Sequence, residues 1–541
     1  MSSKKKQSFL GGAAILASAV AAVKAIGFFY KIPLNNILNT EGKTYFDSAY
    51  QIYSVLLTIS TAGLPLALSK LVSEAQARGR ENEKRKLFST AIWIFLILGL
   101  AGSAFMFFGT ETIAGMLHNE SAYFAIKALA PAVFCVCLLA CMRGYTQGQG
   151  DMKPTAISQV LEALCKLGIG LPLAAYLLRA GEGLLYGQEH VAAGAIFGVT
   201  IGTVLSMLFL FGYLFFHRSP SETLDIPASR TILTARILVI GIPITLSNCA
   251  MSIISLVDTS IVLGRLQNGL GMTEAAASAL KGQYGYAVDL MNLPPSFVFP
   301  VTMSLIPMAA AALARKDYRG TNRIVSSAFR LIAILALPCG VGLSVLSTPI
   351  MRLILPAHPE DAIAAGSHLK ILGIACTFIC IMNLTNAILQ TYGKVHLPII
   401  TVILGGIVKI VMNYFLVGNP AVNIHGAPVS TLCCYMTIAV LNLYFVHRYS
   451  PRPPRYLRLF FRPALATLLM GGAAWSVCGL AGRILEKGHS AYGANAIATL
   501  LGILAGVAVY GVLVVALRIL RADDLKAIPH GEKLAGLLHL K

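Results

Sequence analysis

Three lysines stand inside apolar stretches: Lys24 in "AAVKAIGFFYK" (21–31), Lys166 in "EALCKLGIG" (162–170) and Lys409 in "LGGIVKIVMN" (404–413). Near the centre of a bilayer-spanning helix a lysine costs about 2.5–3.5 kcal/mol on insertion scales, so a cation kept there is a functional candidate by default. Further ionisable groups accompany them: Asp47, Asp258 and Arg265 in "VDTSIVLGR" (257–265), and Asp289 just ahead of "NLPPSFVFP" (292–300). Asp258 and Arg265 share a helix face, so they would line one cavity or form a gate, unless Arg265 marks the outer boundary. Cations without a strong anionic cluster suit an anionic ligand. Lys24, Lys166, Lys409 and Arg265 are therefore the candidate substrate-binding residues, and Asp47, Asp258 and Asp289 the candidate gating or ion-coupling residues. No catalytic residue is assigned. The chain has no GxxxxGK[ST] loop ("GQGDMKPT", 148–155, does not qualify), no HExxH and no GxSxG, and "HPED" (358–361) alone does not make a catalytic site.

The elements that must carry these residues follow from composition. The chain has 541 residues, 56% hydrophobic and 12% charged, with a mean hydropathy of +0.72. Such values lie outside the soluble range and define an all-α integral membrane protein. Apolar stretches of about 20 residues fall near 9–30, 45–72, 87–109, 121–146, 154–178, 191–216, 233–264, 280–314, 328–350, 365–392, 398–419, 427–446, 459–482 and 491–519. That makes fourteen transmembrane helices, with connections too short for a separate soluble domain.

The net charge of +20 invites a nucleic-acid reading, but the cations alternate along the chain as a membrane topology requires. "SSKKK", "RGRENEKRK" (78–86), Arg315 to Arg323, Arg448 to Arg458 and the C-terminal tail are rich in Lys and Arg, whereas 110–120 and 420–426 have neither. The positive-inside rule then puts both termini in the cytoplasm, with no role for nucleic acid. A cleaved signal peptide ending in "ASAVAA" (17–22) is the rival reading of the N-terminus, although the apolar stretch runs on to Tyr30. The eleven cysteines lie almost entirely inside spans. Cys135, Cys137 and Cys141 read as small packing residues, not metal ligands, because 135 and 137 point in different directions on a helix.

An internal repeat organises the spans. Gln147, Gly150 and Lys166 stand at the same spacing as Gln390, Gly393 and Lys409, and "LPLALS" (64–69) resembles "FPVTMS" (299–304). An ancestral duplication gives two parallel six-helix repeats with a binding site expected at their interface. The expected division is residues 1–220, 221–447 and, outside the duplication, two extra helices with a tail in 448–541. Pro294, Pro295 and Pro300 are expected to break the eighth span, because proline removes a backbone donor and clashes with the preceding turn.

Depth within the spans sharpens the list. Lys24 lies about 15 residues into its span, ~22 Å along a helix, which a snorkelling side chain only partly covers. Lys31, at the span's end, fits snorkelling. Lys166 has Glu162 one turn earlier, which makes a self-neutralised pair an equal alternative to a binding role. Lys409 follows Gly405 and Gly406, without such a partner in its own helix. Lys127 and Arg143 in the fourth span are ambiguous in the same way.

"VKAIGFFYKIPL" (23–34), "YFDSAYQIYSVLLTISTAGLPLALSKLVSE" (45–74), "QGQGDMKPTAISQVLE" (147–162) and "SLVDTSIVLGRL" (255–266) resemble the multidrug/oligosaccharidyl-lipid/polysaccharide exporter superfamily. The likeness spans essentially the whole chain. It is to the polysaccharide-flippase branch, which contains stage V sporulation protein B and the MurJ-like lipid II flippases. The resemblance implies a V-shaped pair of six-helix lobes around a cationic cavity, and a groove at the last two helices for a polyprenyl tail. It also places Lys24 where the lipid II flippases have a cavity arginine before "LGF", here "IGF", and Asp47 on the acidic residue that opens their second helix. Where those proteins have an arginine before the eighth-helix "LMEFP" stretch, this chain reads "DLMNLP" with Asp289.

The function expected is therefore an alternating-access flippase, not an enzyme. It would move an undecaprenyl-pyrophosphate-linked sugar, foremost the peptidoglycan precursor lipid II, from the inner to the outer leaflet. Rivals are a drug/cation antiporter of the same superfamily, which calls for acids dominating the cavity, a membrane glycan polymerase or ligase, and a scaffold for cell-wall assembly. The expected setting is the cytoplasmic membrane, as a monomer. The partners expected are the lipid-linked sugar, membrane lipids and cell-wall synthesis proteins. No cofactor or metal is expected, and a coupling ion is left open.

Overall fold

The computed structural model describes residues 9–181, 187–217, 225–298, 309–310, 312–313, 315–450, 452–485 and 490–520, and among them there are helices and no strands. Contacts divide the chain into two units, Met1–Gly282 and Gln283–Lys541.

The first unit holds α1 (Phe9–Ile37), α2 (Thr40–Thr61), α3 (Leu64–Ala77), α4 (Glu81–Phe108), the short α5 (Thr110–Met116), α6 (Tyr123–Gly148), α7 (Lys153–Cys165), α8 (Leu171–Gly181), α9 (Gln188–Phe216) and α10 (Arg230–Gly264). It also holds the start of α11 (Glu274–Met291). Helix α6 is the hub, packed against α2, α3, α4 and α9, while α1 lies on α7 and α8, and α10 on α2, α3 and α4. Tyr30, Tyr53, Ile126, Val133 and Val199 belong to one buried cluster, and Leu68, Phe95, Cys141 and Ile237 to a second.

The second unit continues with the rest of α11, then α12 (Tyr318–Val345), α13 (Ser347–Ile354), α14 (Pro359–Thr391), α15 (His396–Val417), α16 (Gly426–Tyr449), α17 (Tyr456–Leu485) and α18 (Ala491–Ala516). Helix α14 packs against α12, α13 and α16, and the final pair α17 and α18 pack on each other, with α17 also on α12 and α18 on α13.

Twelve helices among the described residues are long and apolar enough to cross a membrane. Of the remaining two expected spans, 9–30 falls on α1, a helix of 29 residues, and 280–314 falls on α11 and on residues partly outside those described. Large apolar side chains project from the units, with Phe108 and Phe216 84% and 83% exposed. Water would penalise that surface and lipid does not.

Two kinds of local sequence shape the spans. The first is proline after a break: α2 stops at Thr61 and α3 restarts with Pro65 in its first turn, where a missing N–H costs nothing. Likewise α11 stops at Met291, and 293–298 resumes as helix with Pro294 and Pro295 at its start. Pro300 lies outside the described residues. The second is glycine at helix crossings. A Cβ on Gly63 would lie 2.0 Å from the Gly241 carbonyl of α10, and one on Gly198 of α9 would lie 2.3 Å from the Cα of Gly170.

Gly198→Ala is expected to lower the stability of the purified protein by about 1–3 kcal/mol through overpacking. Gly212→Ala, where a Cβ meets nothing within 4 Å, should be neutral or stabilising because alanine favours helix. Thermal unfolding in detergent reads both, and equal midpoints for the two variants would refute the close crossing.

Candidate functional site

A charged cluster sits within the membrane spans of the first unit, built from α6, α7 and the turn that follows α7. Glu162 is one turn before Lys166, so their side chains meet along one face, Lys166 Nζ lying 3.1 Å from Glu162 Oε1. From the facing α6, Arg143 Nη2 approaches Glu162 Oε2 at 3.4 Å, and Arg143 Nε donates to Ser158 Oγ at 2.9 Å. Two cations thus share one carboxylate, and the cluster keeps one positive charge in excess. All three side chains are largely buried, between 14% and 21% exposed. Tyr30, Tyr50 and Tyr53 stand within electrostatic range of Lys166, and the buried hydroxyl of Tyr30 has no hydrogen-bond partner among the described residues.

The backbone at Lys166 is itself unusual. Residues Lys166–Gly170 form a π-helical turn between α7 and α8, and Arg265–Gly269 form another after α10. Such turns widen the helix and leave carbonyls off the regular ladder, which is why they recur at functional sites. Gly168 and Gly170 make the first turn permissive, and the guanidinium of Arg265 folds against Gly269, where a Cβ would come within 3.3 Å of it.

The acidic candidates are paired. Asp47 bonds Lys43 Nζ through both oxygens, at 2.6 and 2.7 Å, and the Lys43 side chain is 1% exposed. Asp258 on α10 faces Lys281 on α11 at 3.9 Å, both buried. Sequence reasoning missed both lysines. The i,i+4 spacing of Lys43 and Asp47 carried that signal, whereas Lys281 is on another helix and left no local trace.

Of the candidate lysines in the first unit, Lys24 is exposed on α1 and Lys166 is largely buried and shares Glu162 with Arg143. Lys409 on α15 and Asp289 on α11 are partly buried in the second unit, and both have interacting neighbours. Lys127 bonds the Tyr123 hydroxyl at 2.7 Å and lies over the rings of Phe107 and Tyr123, so its charge is met locally. Cys135, Cys137 and Cys141 are buried, with Cys137 Sγ 2.8 Å from Ser60 Oγ. Among the described residues no group of three or more His, Cys, Asp or Glu side chains is disposed to hold a metal ion.

A bundle of apolar helices with a charged cluster inside its spans defines a multi-pass membrane protein, and similarity to known proteins makes it a transporter of the multidrug/oligosaccharidyl-lipid/polysaccharide exporter superfamily. The family model described as polysaccharide biosynthesis protein matches residues 9–312, and the chain belongs to that family. A second model, MatE, matches residues 243–415. Stage V sporulation protein B of Bacillus subtilis strain 168 is 23% identical over 530 residues, covering 97% of this chain and 98% of that protein. The lipid II flippase MurJ of the same organism is 23% identical over 471 residues, covering 83% and 84%. A solved lipid II flippase MurJ in an inward closed conformation shares the fold, with a TM-score of 0.66 at 16% identity over 93% of this chain and 99% of that one. The relatives whose names state an activity are transporters and flippases, not enzymes.

Glu162→Gln leaves Arg143 and Lys166 close together without a counter-charge and is expected to cost about 2 kcal/mol, below the fully buried case because the groups are partly solvated. Adding Lys166→Met should restore part of that loss, since one cation then remains with Ser158 and the glutamine. A double-mutant cycle on thermal stability checks this, and strict additivity would exclude the ion pair.

Proposed function

We propose that the chain is an alternating-access flippase carrying an undecaprenyl-pyrophosphate-linked sugar, foremost lipid II, from the inner to the outer leaflet of the cytoplasmic membrane. The observation that supports this best is the Arg143–Glu162–Lys166 cluster, which holds more positive than negative charge inside a membrane span. A pyrophosphate entering hydrocarbon needs such charge, and ammonium and guanidinium groups bond its oxygens more strongly than neutral donors do. Lys24 supplies first contact, being exposed. Lys166 then exchanges Glu162 for the phosphate, while Arg143 keeps the carboxylate neutralised. Lys409 and Arg265 complete the set of counter-charges.

The same reading assigns fourteen transmembrane helices in two parallel six-helix repeats plus two more, with both termini cytoplasmic and a monomer as the working unit. Membrane lipids and the lipid-linked sugar are its partners, and cell-wall synthesis proteins consume what it delivers. With the cytoplasm negative, each negative charge moved outward gains about 2.3 kcal/mol per 100 mV, so the potential assists export without a nucleotide site. Coupling to an ion through Asp47, Asp258 or Asp289 is the alternative energy route.

A second reading, drug/cation antiport, draws on the MatE match over residues 243–415 and on the acids Asp47 and Asp258. Binding of the purified protein to lipid II, undecaprenyl phosphate and an organic-cation drug separates the two. The flippase reading expects a preference for lipid II that falls about tenfold in Lys24→Ala, equivalent to loss of one charge-assisted contact. Preference for the cation, unchanged by that substitution, would overturn it in favour of antiport.

A further inference from the structure

Two histidines meet in the second unit. His368, in the third turn of α14, is 1% exposed, and neither its Nδ1 nor its Nε2 has a hydrogen-bond partner among the described residues. His425, the residue before α16, is exposed. The two imidazole rings lie with centroids 4.9 Å apart and planes tilted by 40°. The pair therefore runs from a buried ring to one open to solvent.

Local sequence holds both rings in place. On the side of α14 away from His368, a Cβ on Gly366 would lie 2.7 Å from the Cα of Thr348, and one on Gly373 would lie 2.6 Å from the Ser344 nitrogen, so the helix is pressed onto α13 and α12. His425 closes the short turn Asn423–His425. There Asn423 takes φ +53°, which a short polar side chain tolerates by bonding locally, and its Oδ1 accepts from the Ile424 N–H at 2.7 Å. Ile424 is 2% exposed, and a Cβ on Gly426 would lie 2.6 Å from Leu416 of α15. The backbone under His425 is thus fixed although its ring is open.

A neutral imidazole carries one N–H and one lone pair. Interiors seldom bury both without a partner, and such a group calls for a reason. The nearby Tyr284 ring stands edge-on to His368 at 6.1 Å, with its hydroxyl 2.8 Å from that of Thr431. With Zn–N at about 2.0–2.1 Å, two imidazoles on one tetrahedral ion have ring centroids roughly 5 Å apart, which this pair matches. Asp361, two turns before His368 on the same face of α14, accepts from Gln283 Nε2 at 3.0 Å and brings negative charge to that end of the helix.

We propose that His368 and His425 form a binding site for a divalent late-transition metal ion such as zinc, with water completing its coordination. Imidazoles suit zinc, copper and nickel, whereas magnesium and calcium take oxygen ligands. Two protein ligands make an exchangeable site, unlike the four-ligand structural zinc sites. The ion ties α14 to α16, apart from the Arg143–Glu162–Lys166 cluster, and does not depend on what the transporter carries. Sequence reading, which expects no metal, misses the pair because its members come from segments far apart in the chain.

The test is calorimetric titration of Zn2+ into the tag-free, detergent-purified full chain. One saturable site should appear, and Mg2+ in large excess should not compete. His425→Ala removes an exposed side chain and should weaken binding at least about tenfold, since the loss even of an outer-shell partner of a metal ligand costs that much. His368→Gln should do the same. His396→Ala removes an exposed histidine at the far end of α15 and should leave affinity within about twofold. Cu2+ at one equivalent should give an electron paramagnetic resonance spectrum coupled to two imidazole nitrogens, lost in His425→Ala. The proposal is overturned if the native chain shows no saturable Zn2+ site, if His425→Ala binds like the native chain, or if His396→Ala weakens binding as much. A Cu2+ spectrum without two imidazole nitrogens overturns it equally.

Discussion

Charge held in a low-dielectric interior must be compensated, and the first unit compensates it incompletely. Lys43 meets Asp47 through both carboxylate oxygens, and Lys281 stands 3.9 Å from Asp258. At Glu162 a single carboxylate serves both Arg143 and Lys166. A buried ion pair of opposite charges can fix helix registry at little net cost in stability, since desolvation offsets most of the attraction. A pair with a second cation attached is different, because the excess charge lowers the cost of bringing an anion in from water.

The helices around that cluster are arranged to tolerate it. The π-helical turn at Lys166–Gly170 interrupts the regular ladder where Lys166 leaves α7. At its last residue, Gly170, and at Gly198, the absence of side chains lets α9 approach closely. Close helix packing thus adjoins an irregular stretch of backbone. The break between α2 and α3, where Gly63 lies close against Gly241, belongs to the same unit. Broken helices of this kind are tolerated in membranes where neighbouring helices satisfy the freed backbone groups.

Hydropathy makes the helical class and most of the spans legible, because bilayer thickness leaves few alternatives to helices of this length. The expected stretches 87–109, 191–216 and 491–519 correspond to α4, α9 and α18 within a few residues. The pairing of Lys166 with Glu162 is visible for the same reason, four residues being one turn. Arg143 as the third member is not, since the approach of α6 to α7 depends on tertiary packing. Lys281 escapes sequence reasoning on the same ground, since it meets Asp258 from another helix. Lys43 is the instructive omission. It lies one turn before Asp47, and the attention that an intramembrane acid attracts belongs equally to its i−4 neighbour.

The most direct measurement is the rate at which a fluorescent lipid II crosses the bilayer of proteoliposomes containing either the native chain or Lys166→Met. That substitution leaves Arg143 and Glu162 as a balanced pair, so it removes the excess charge without stranding a carboxylate. The account predicts an intact, folded protein whose flipping is reduced at least about tenfold, the scale of one lost charge-assisted contact. Flipping at the native rate by a folded Lys166→Met protein would contradict it.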